Sequence, residues 1–248
     1  MRKSRMSTKI AVIADVHGNS QALHAALAEI DRDAQVKHIY CIGDMVGIGY
    51  ETNEVLQILF SRKDISFVIG NHEEELIAIL EGEESDSQGG ERVHHEWLAK
   101  RLDKRLLPKL KAMPKEIAAE HEEHKVLFTH YHLDSEQRFL PIEAEPAVEK
   151  LDQLYKESPF DLVCFGHHHP VHHFSSAQRI YLNPGSLGCY DKPFARYAIV
   201  EFTATEINVA LEQALYDNRD FLLGYEQLNV PEKEFILNVF HGNQTIKK

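Results

Sequence analysis

Ile65-Ser66-Phe67-Val68-Ile69-Gly70-Asn71-His72-Glu73 is the stretch from which the rest of the chain is read. A mostly apolar run that ends in Gly reads as a buried strand, and Glu74-Glu75-Leu76-Ile77-Ala78-Ile79-Leu80 after it reads as a helix. A strand handed to a helix through a short polar loop sets side chains at the carboxyl edge of a sheet, where open α/β sheets keep their sites. Alone, Gly-Asn-His-Glu is a weak signal. It gains weight from four similar strand ends: Asp15-Val16-His17, Gly43-Asp44, Thr129-His130 and Gly166-His167-His168-His169. Five strand ends deliver Asp, His or Asn, a donor set able to hold two divalent metals.

Outward from that stretch, residues 9–14 predict a buried strand, and Asn19 predicts an N-cap for a helix to about residue 32. His38 to Ile42 predicts a second strand, followed by a helix at 53–62. Successive βα units with short connections imply a largely parallel, right-handed sheet. Over about 73–120 the rhythm turns charged and helical, with a Gly-Ser-rich break at 82–90, so a helical insertion flanking the site is expected. Strands are expected again at 125–128 and 162–165, with a helix at 146–156 between them. The shorter segments 171–174, 179–182, 197–202 and 207–211 suggest antiparallel pairing and a second sheet, and helices are expected at 218–228 and 231–240. Without a linker or an internal repeat, 1–248 reads as one domain.

Composition narrows the function classes. A formal net charge of -12 argues against nonspecific nucleic-acid binding, which selects clustered Lys and Arg. Cys41, Cys164 and Cys189 are scattered without CxxC spacing, which excludes a disulfide framework and a zinc knuckle and suits a reducing compartment. The basic start Met1 to Ser7 precedes an apolar run too short for a signal core, and nothing reaches transmembrane length. A cytoplasmic protein without a membrane partner is expected.

Carboxylate, imidazole and amide donors together suit Mn, Fe or Zn. Two cations about 3.5–4 Å apart share a ligand, clamp a phosphate and lower the pKa of a water between them. Asp44, the lone carboxylate at its strand end, suits the bridge.

Taken in order, Asp15-x-His17, Gly43-Asp44, Gly70-Asn71-His72-Glu73, His130 and Gly166-His167-x-His169 resemble the calcineurin-like metallophosphoesterase superfamily. Asn183-Pro184-Gly185-Ser186 is similar to its small bacterial phosphodiesterase branch, although these residues also favour a plain turn. The resemblance implies a four-layer αββα sandwich of two mixed sheets. It implies that Asp15, His17 and His169 hold one metal, that Asn71, His130 and His167 hold the other, and that Asp44 bridges them. The implied ions are two di- or trivalent transition metals, Mn or Fe ahead of Zn or Ni. His72 would stand beside the scissile phosphate, as a general acid or as a donor to the phosphoryl group.

The chain also departs from relatives that carry Asp-Arg-Gly after the bridging Asp. Here Val46 is followed by Gly47-Ile48-Gly49, so that loop lacks both a phosphate-clamping Arg and an acidic partner for the catalytic His. Arg138 and Arg196 are candidate substitutes for the Arg, and His132 is a candidate substrate contact. The acidic run at 73–75, 81, 83 and 84 reads as a solvated face. His94, His95, His121 and His124 take the same solvated reading, and His168, His172 and His173 read as solvent-facing. The expected activity is hydrolysis of a small phosphodiester or phosphomonoester by a metal-bound hydroxide. A protein phosphatase, a dinucleoside polyphosphate hydrolase and a non-catalytic scaffold are the alternatives.

Overall fold

Thr8–Ile13 forms strand β1, whose last four residues, Ile10 to Ile13, are apolar and buried because both faces are covered there. Ile10 and Val12 point into the space between two sheets, while Ala11 and Ile13 point under the helices, the period-2 division a doubly covered strand requires. A computed structural model describes residues 7–143 and 145–244, so the basic segment at 1–6 lies outside the described residues.

β1, β2 (Val36–Ile42) and β3 (Ile65–Val68) are parallel neighbours. β9 (Phe194–Phe202) pairs antiparallel with β1, and β10 (Ile207–Leu215) with β9, giving the order β10-β9-β1-β2-β3. The second sheet has the order β4-β5-β6-β8-β7, from β4 (Glu116–His121), β5 (His124–Thr129), β6 (Leu162–Cys164), β7 (His172–Ser175) and β8 (Ile180–Asn183). Its three central strands are parallel and its two outer strands antiparallel. Both sheets are therefore mixed, as expected.

The inner faces meet in one core, where Tyr40 stacks on Phe128 with ring centroids 3.6 Å apart. Helices α1 (Ser20–Ile30), α2 (Thr52–Ser61), α3 (Asn71–Glu81), α4 (Gly89–Ala99) and α5 (Leu107–Lys111) contribute to the core outside the first sheet. α6 (Val148–Leu154) covers the second sheet through Leu151. α7 (Arg219–Gln227) and α8 (Lys233–Phe240) pack with Ile48 and Cys189 in a smaller cluster. The result is the four-layer αββα arrangement. No helix among the described residues is long and apolar enough to cross a membrane.

Two boundaries differ from the expectations. The stretch expected to be helical over 73–120 stops short, because Glu116–His121 is an edge strand whose residues alternate between exposed and half-buried. Its Glu and Ala residues are good helix formers, but register with β5 and a half-buried face decide the conformation. Gly70 to Glu73 is also not a free loop: α3 begins at Asn71, so Asn71 and His72 occupy its first turn.

Candidate metal centre

All five strand ends converge on one spot at the edge of the two sheets. His17 Nε2 and His169 Nε2 approach to 2.9 Å, with Asp15 Oδ1 4.0 Å from His17 Nε2. Opposite them, His130 Nε2 lies 2.9 Å from Asn71 Oδ1 and 3.2 Å from His167 Nδ1. Asp44 stands between the groups, its Oδ2 3.2 Å from His130 Nε2 and 3.8 Å from His17 Nε2. The seven expected donors are thus adjacent and, apart from Asn71, His167 and His169, fully buried.

Backbone geometry aims them. Asp15, His17, Asp44, His167 and His169 have φ of 55°, 46°, 52°, 66° and 64°, the left-handed region that non-glycine residues rarely enter. His17 Nδ1 bonds the Val46 carbonyl at 3.0 Å and His130 Nδ1 the Ile42 carbonyl at 2.9 Å, which turns each Nε2 toward the centre. Asp15 accepts the His167 N–H, and Asp44 Oδ1 accepts the His72 N–H, both at 3.0 Å. Gly70 is required by close approach, since a Cβ there would collide with Asp44 Oδ1.

Glu73, expected on a solvated face, is fully buried instead. Its carboxylate accepts the N–H groups of Asp44, Val46 and Gly70 at 2.8, 2.9 and 2.9 Å, tying the Asp44 loop to the start of α3.

Electrostatically the centre is a cluster of buried carboxylates and imidazoles that shift one another's protonation. Burial, with the Asp44 charge behind it, pushes Asp15 up to about 7, and the same causes push Glu73 to about 7. Asp44 is held well below the usual carboxylate range: burial opposes this, but His130, His72 and His17 outweigh it. Burial also pulls at His130, yet Asp44 overrides it and raises His130 to about 9. Burial takes His17 and His169 down to about 3 and His167 to about 4, leaving three neutral imidazoles with lone pairs to offer. Carboxylate, amide and neutral imidazole in this arrangement fit a pair of transition-metal ions.

His72 sits beside the donors, its Nε2 3.9 Å from Asp44 Oδ2. Its Nδ1 lies 2.7 Å from Nε2 of His95, a residue of α4 with 0% exposure that sequence reasoning placed nowhere near the site. His95 thereby stands where the 47–49 loop offers no acidic partner. A faint signal existed, since Glu91 and His95 are four apart on one helix face and both their ligand atoms come within 4.8 Å of His72. Cys189 Sγ also lies within 4.8 Å of ring nitrogens of His17 and His169, although the scattered cysteines suggested no thiol at the site; burial raises its pKa and keeps it protonated.

The remaining candidates fall elsewhere. Arg196 donates to the carbonyls of Ser186, His169 and Cys189 and lies over the Tyr190 ring, so it braces the His169 loop. Arg138 is 68% exposed and paired with Asp134 and Glu136 on a groove shared with Asn71 and His167. His132 turns away to the Tyr155 hydroxyl at 2.9 Å. Asn183 bonds the Gly166 carbonyl and the Gly185 N–H, locking its turn onto the His167 loop. His168 and His172 pair with each other at 2.9 Å.

The chain is 30% identical over 125 residues to an uncharacterized protein of Methanocaldococcus jannaschii, covering 50% of each. It is 37% identical over 78 residues to the symmetrical bis(5'-nucleosyl)-tetraphosphatase of Klebsiella pneumoniae, covering 31% of this chain and 27% of that enzyme. The chain thus spans half or less of the length of these curated relatives. A crystal structure of a metallophosphoesterase from Sphaerobacter thermophilus shares the fold, with a TM-score of 0.72 and 22% identity over 95% of this chain and 100% of that one. Residues 8–205 match the calcineurin-like phosphoesterase superfamily domain, and the chain belongs to that superfamily.

Proposed function

We propose that the chain is a dinuclear phosphoesterase that hydrolyses a small phosphodiester or phosphomonoester. The observation that carries this reading is the convergence of two donor groups on opposite sides of the Asp44 carboxylate. Asp15, His17 and His169 would hold one ion, Asn71, His130 and His167 the other, and Asp44 would be shared, with Mn or Fe ahead of Zn or Ni. Such a pair, when bound, offers positive charge to the phosphoryl oxygens and acidifies water for attack. The chain's own part is to aim the donors, to keep bulk water from Asp44, and to present His72 to the ester.

Turnover of bis(4-nitrophenyl) phosphate by Mn²⁺-loaded protein, abolished by chelator, is the expected result. A panel of mono- and diesters then ranks the substrates. No turnover with any of the four metals overturns the reading. The similarity to the Klebsiella pneumoniae enzyme favours a second reading, a dinucleoside polyphosphate hydrolase, which preferential cleavage of diadenosine tetraphosphate would establish.

Proton uptake and release give a test that needs no substrate. His130, raised to about 9 by Asp44, carries a proton in the metal-free protein at pH 8, and ligation through Nε2 must displace it. Metal binding at pH 8 is expected to release about one proton per chain, and affinity is expected to rise about tenfold per pH unit between about 7 and 9, and more steeply below 7, where Asp15 also carries a proton. Calorimetry in buffers of different ionisation enthalpy reads the proton count. A count of zero at pH 8 would show that His130 has no proton to give up there, and loss of metal in His130→Ala then decides its place in the ligand set.

A further inference from the structure

Beside His72 the centre opens into an apolar space that the donors do not use. A cavity of about 470 Å³ is lined by Ile48, His94, His95, Phe235, Ile236 and Phe240, with His72 in its wall. Ile48 comes from the loop after Asp44, the histidines from α4, and the other three from α8. Phe240 also packs on the ring of His169, centroids 5.6 Å apart, so the cavity reaches the metal donors from two directions. Phe235 lies edge-on to Phe240 at 6.1 Å and is 56% exposed, an aromatic ring held at the mouth.

The rim is acidic. Glu91 and Glu232 both line the cavity, and neither is paired with a cation among the described residues. On the far side of Glu91 runs the groove of about 600 Å³ that carries Asn71, His167, Lys115 and Arg138. The two spaces flanking the donors therefore differ: one is apolar with an anionic rim, the other polar, its Lys115 and Arg138 already paired with carboxylates. The first space adjoins both His72 and, through Phe240, His169, so an ester held by its phosphoryl oxygens at the donors and His72 can seat its alcohol there.

We propose that this cavity is the leaving-group site, and that it selects esters of uncharged, ring-bearing alcohols while rejecting alcohols that carry a phosphate or other anion. The proposal rests on the phosphoesterase reading and deepens it. Apolar walls and aromatic edges favour a flat ring, since burying apolar area is the main source of affinity in such pockets. Two unpaired carboxylates oppose an anion at the mouth, and like charges brought together in a partly desolvated site discriminate strongly.

The test compares phosphate monoesters whose alcohols have similar acidity: methyl, benzyl, 2-naphthylmethyl and 4-(phosphonomethyl)benzyl phosphate, with Mn²⁺-loaded full-length protein. The expected kcat/KM for the benzyl and naphthylmethyl esters exceeds that for the methyl ester by about 10–200-fold, the range a hydrophobic pocket supplies. The phosphonomethyl ester is expected to fall below the benzyl ester by about tenfold or more, and Glu91→Gln with Glu232→Gln to recover most of that loss. Phe235→Ala, at a largely exposed position that opens no core, is expected to shrink the benzyl-to-methyl ratio. Equal efficiency for methyl and benzyl esters overturns the site, as does a phosphonomethyl ester used as well as the benzyl one. If none of these monoesters is turned over, binding of 2-naphthylmethanol judges the cavity, and the phosphoesterase reading falls only if bis(4-nitrophenyl) phosphate is not turned over either. Binding weakened by Phe235→Ala supports it, and binding that is absent or unchanged overturns it.

Discussion

Asp44→Asn is expected to lower ester hydrolysis by about 10³-fold or more and to leave the protein short of metal, because a charge shared by two cations is worth several kcal/mol to both binding and the transition state. Asn has the shape of Asp and can keep the acceptor that Asp44 Oδ1 offers to the His72 N–H, so the loop should hold its course. What disappears is the negative charge within 3.2 Å of His130 Nε2 and 3.8 Å of His17 Nε2. The same change has a signature visible without metal or substrate. Asp44 is what raises His130 against the pull of burial, so in the variant the His130 ring should titrate far below about 9, which NMR can follow. Elemental analysis gives metal per chain. Full occupancy in Asp44→Asn would refute the bridging role.

The second large effect is expected at His72. His95 Nδ1 is sealed from solvent and has no partner among the described residues, so a proton there would be an orphaned donor, whereas a bare lone pair is the lesser penalty. The proton of His95 therefore belongs on Nε2, donated to His72 Nδ1 at 2.7 Å, and the proton of His72 belongs on Nε2, facing the centre. Burial, with His17, His95 and His130 nearby, keeps the His72 ring neutral despite the attraction of Asp44. A neutral N–H aimed at a phosphoryl oxygen stabilises developing charge but is a poor proton source. His72→Ala is thus expected to keep both metals and lose about 10²–10³ in kcat, by comparable factors on alkyl and nitrophenyl esters. His95→Phe, which deletes the donor that sets the tautomer, is expected to lose about 10–100-fold. A much larger loss on alkyl esters would identify His72 as a general acid instead, and lost metal would place it among the ligands.

The parts of this site that were legible in the sequence are those where chemistry is local. A strand that ends in Gly or a short polar residue, followed by a capped helix, leaves its mark within ten residues, and that pattern placed all seven donors at one edge. The hidden parts depend on contacts between distant segments. Glu73 belongs to a run with Glu74 and Glu75, and nothing in its composition tells the one that faces three N–H groups from the two that stay half-buried. His95 lies 23 positions from His72 and becomes its partner only because α4 folds back over α3. Arg196 looked available to a phosphate, but its guanidinium is already occupied by three backbone carbonyls. β4 was concealed by Ala and Glu residues whose local preference is helical and whose alternation is short.

The left-handed backbone at Asp15, His17, Asp44, His167 and His169 has a consequence for descent. Each such residue costs about 1–3 kcal/mol relative to one at ease in that conformation, and only the surrounding sheets and turns hold it there. Glycine would adopt these angles freely and asparagine nearly so. Purifying selection for hydrolysis must therefore act against a steady drift toward those two residues. In a lineage released from that selection, histidines 167 and 169 would be among the first to go, because their replacement relieves strain at partly exposed positions without opening the core. Glycine or asparagine at those sites would mark a descendant that kept the sandwich as a binding platform after abandoning its chemistry.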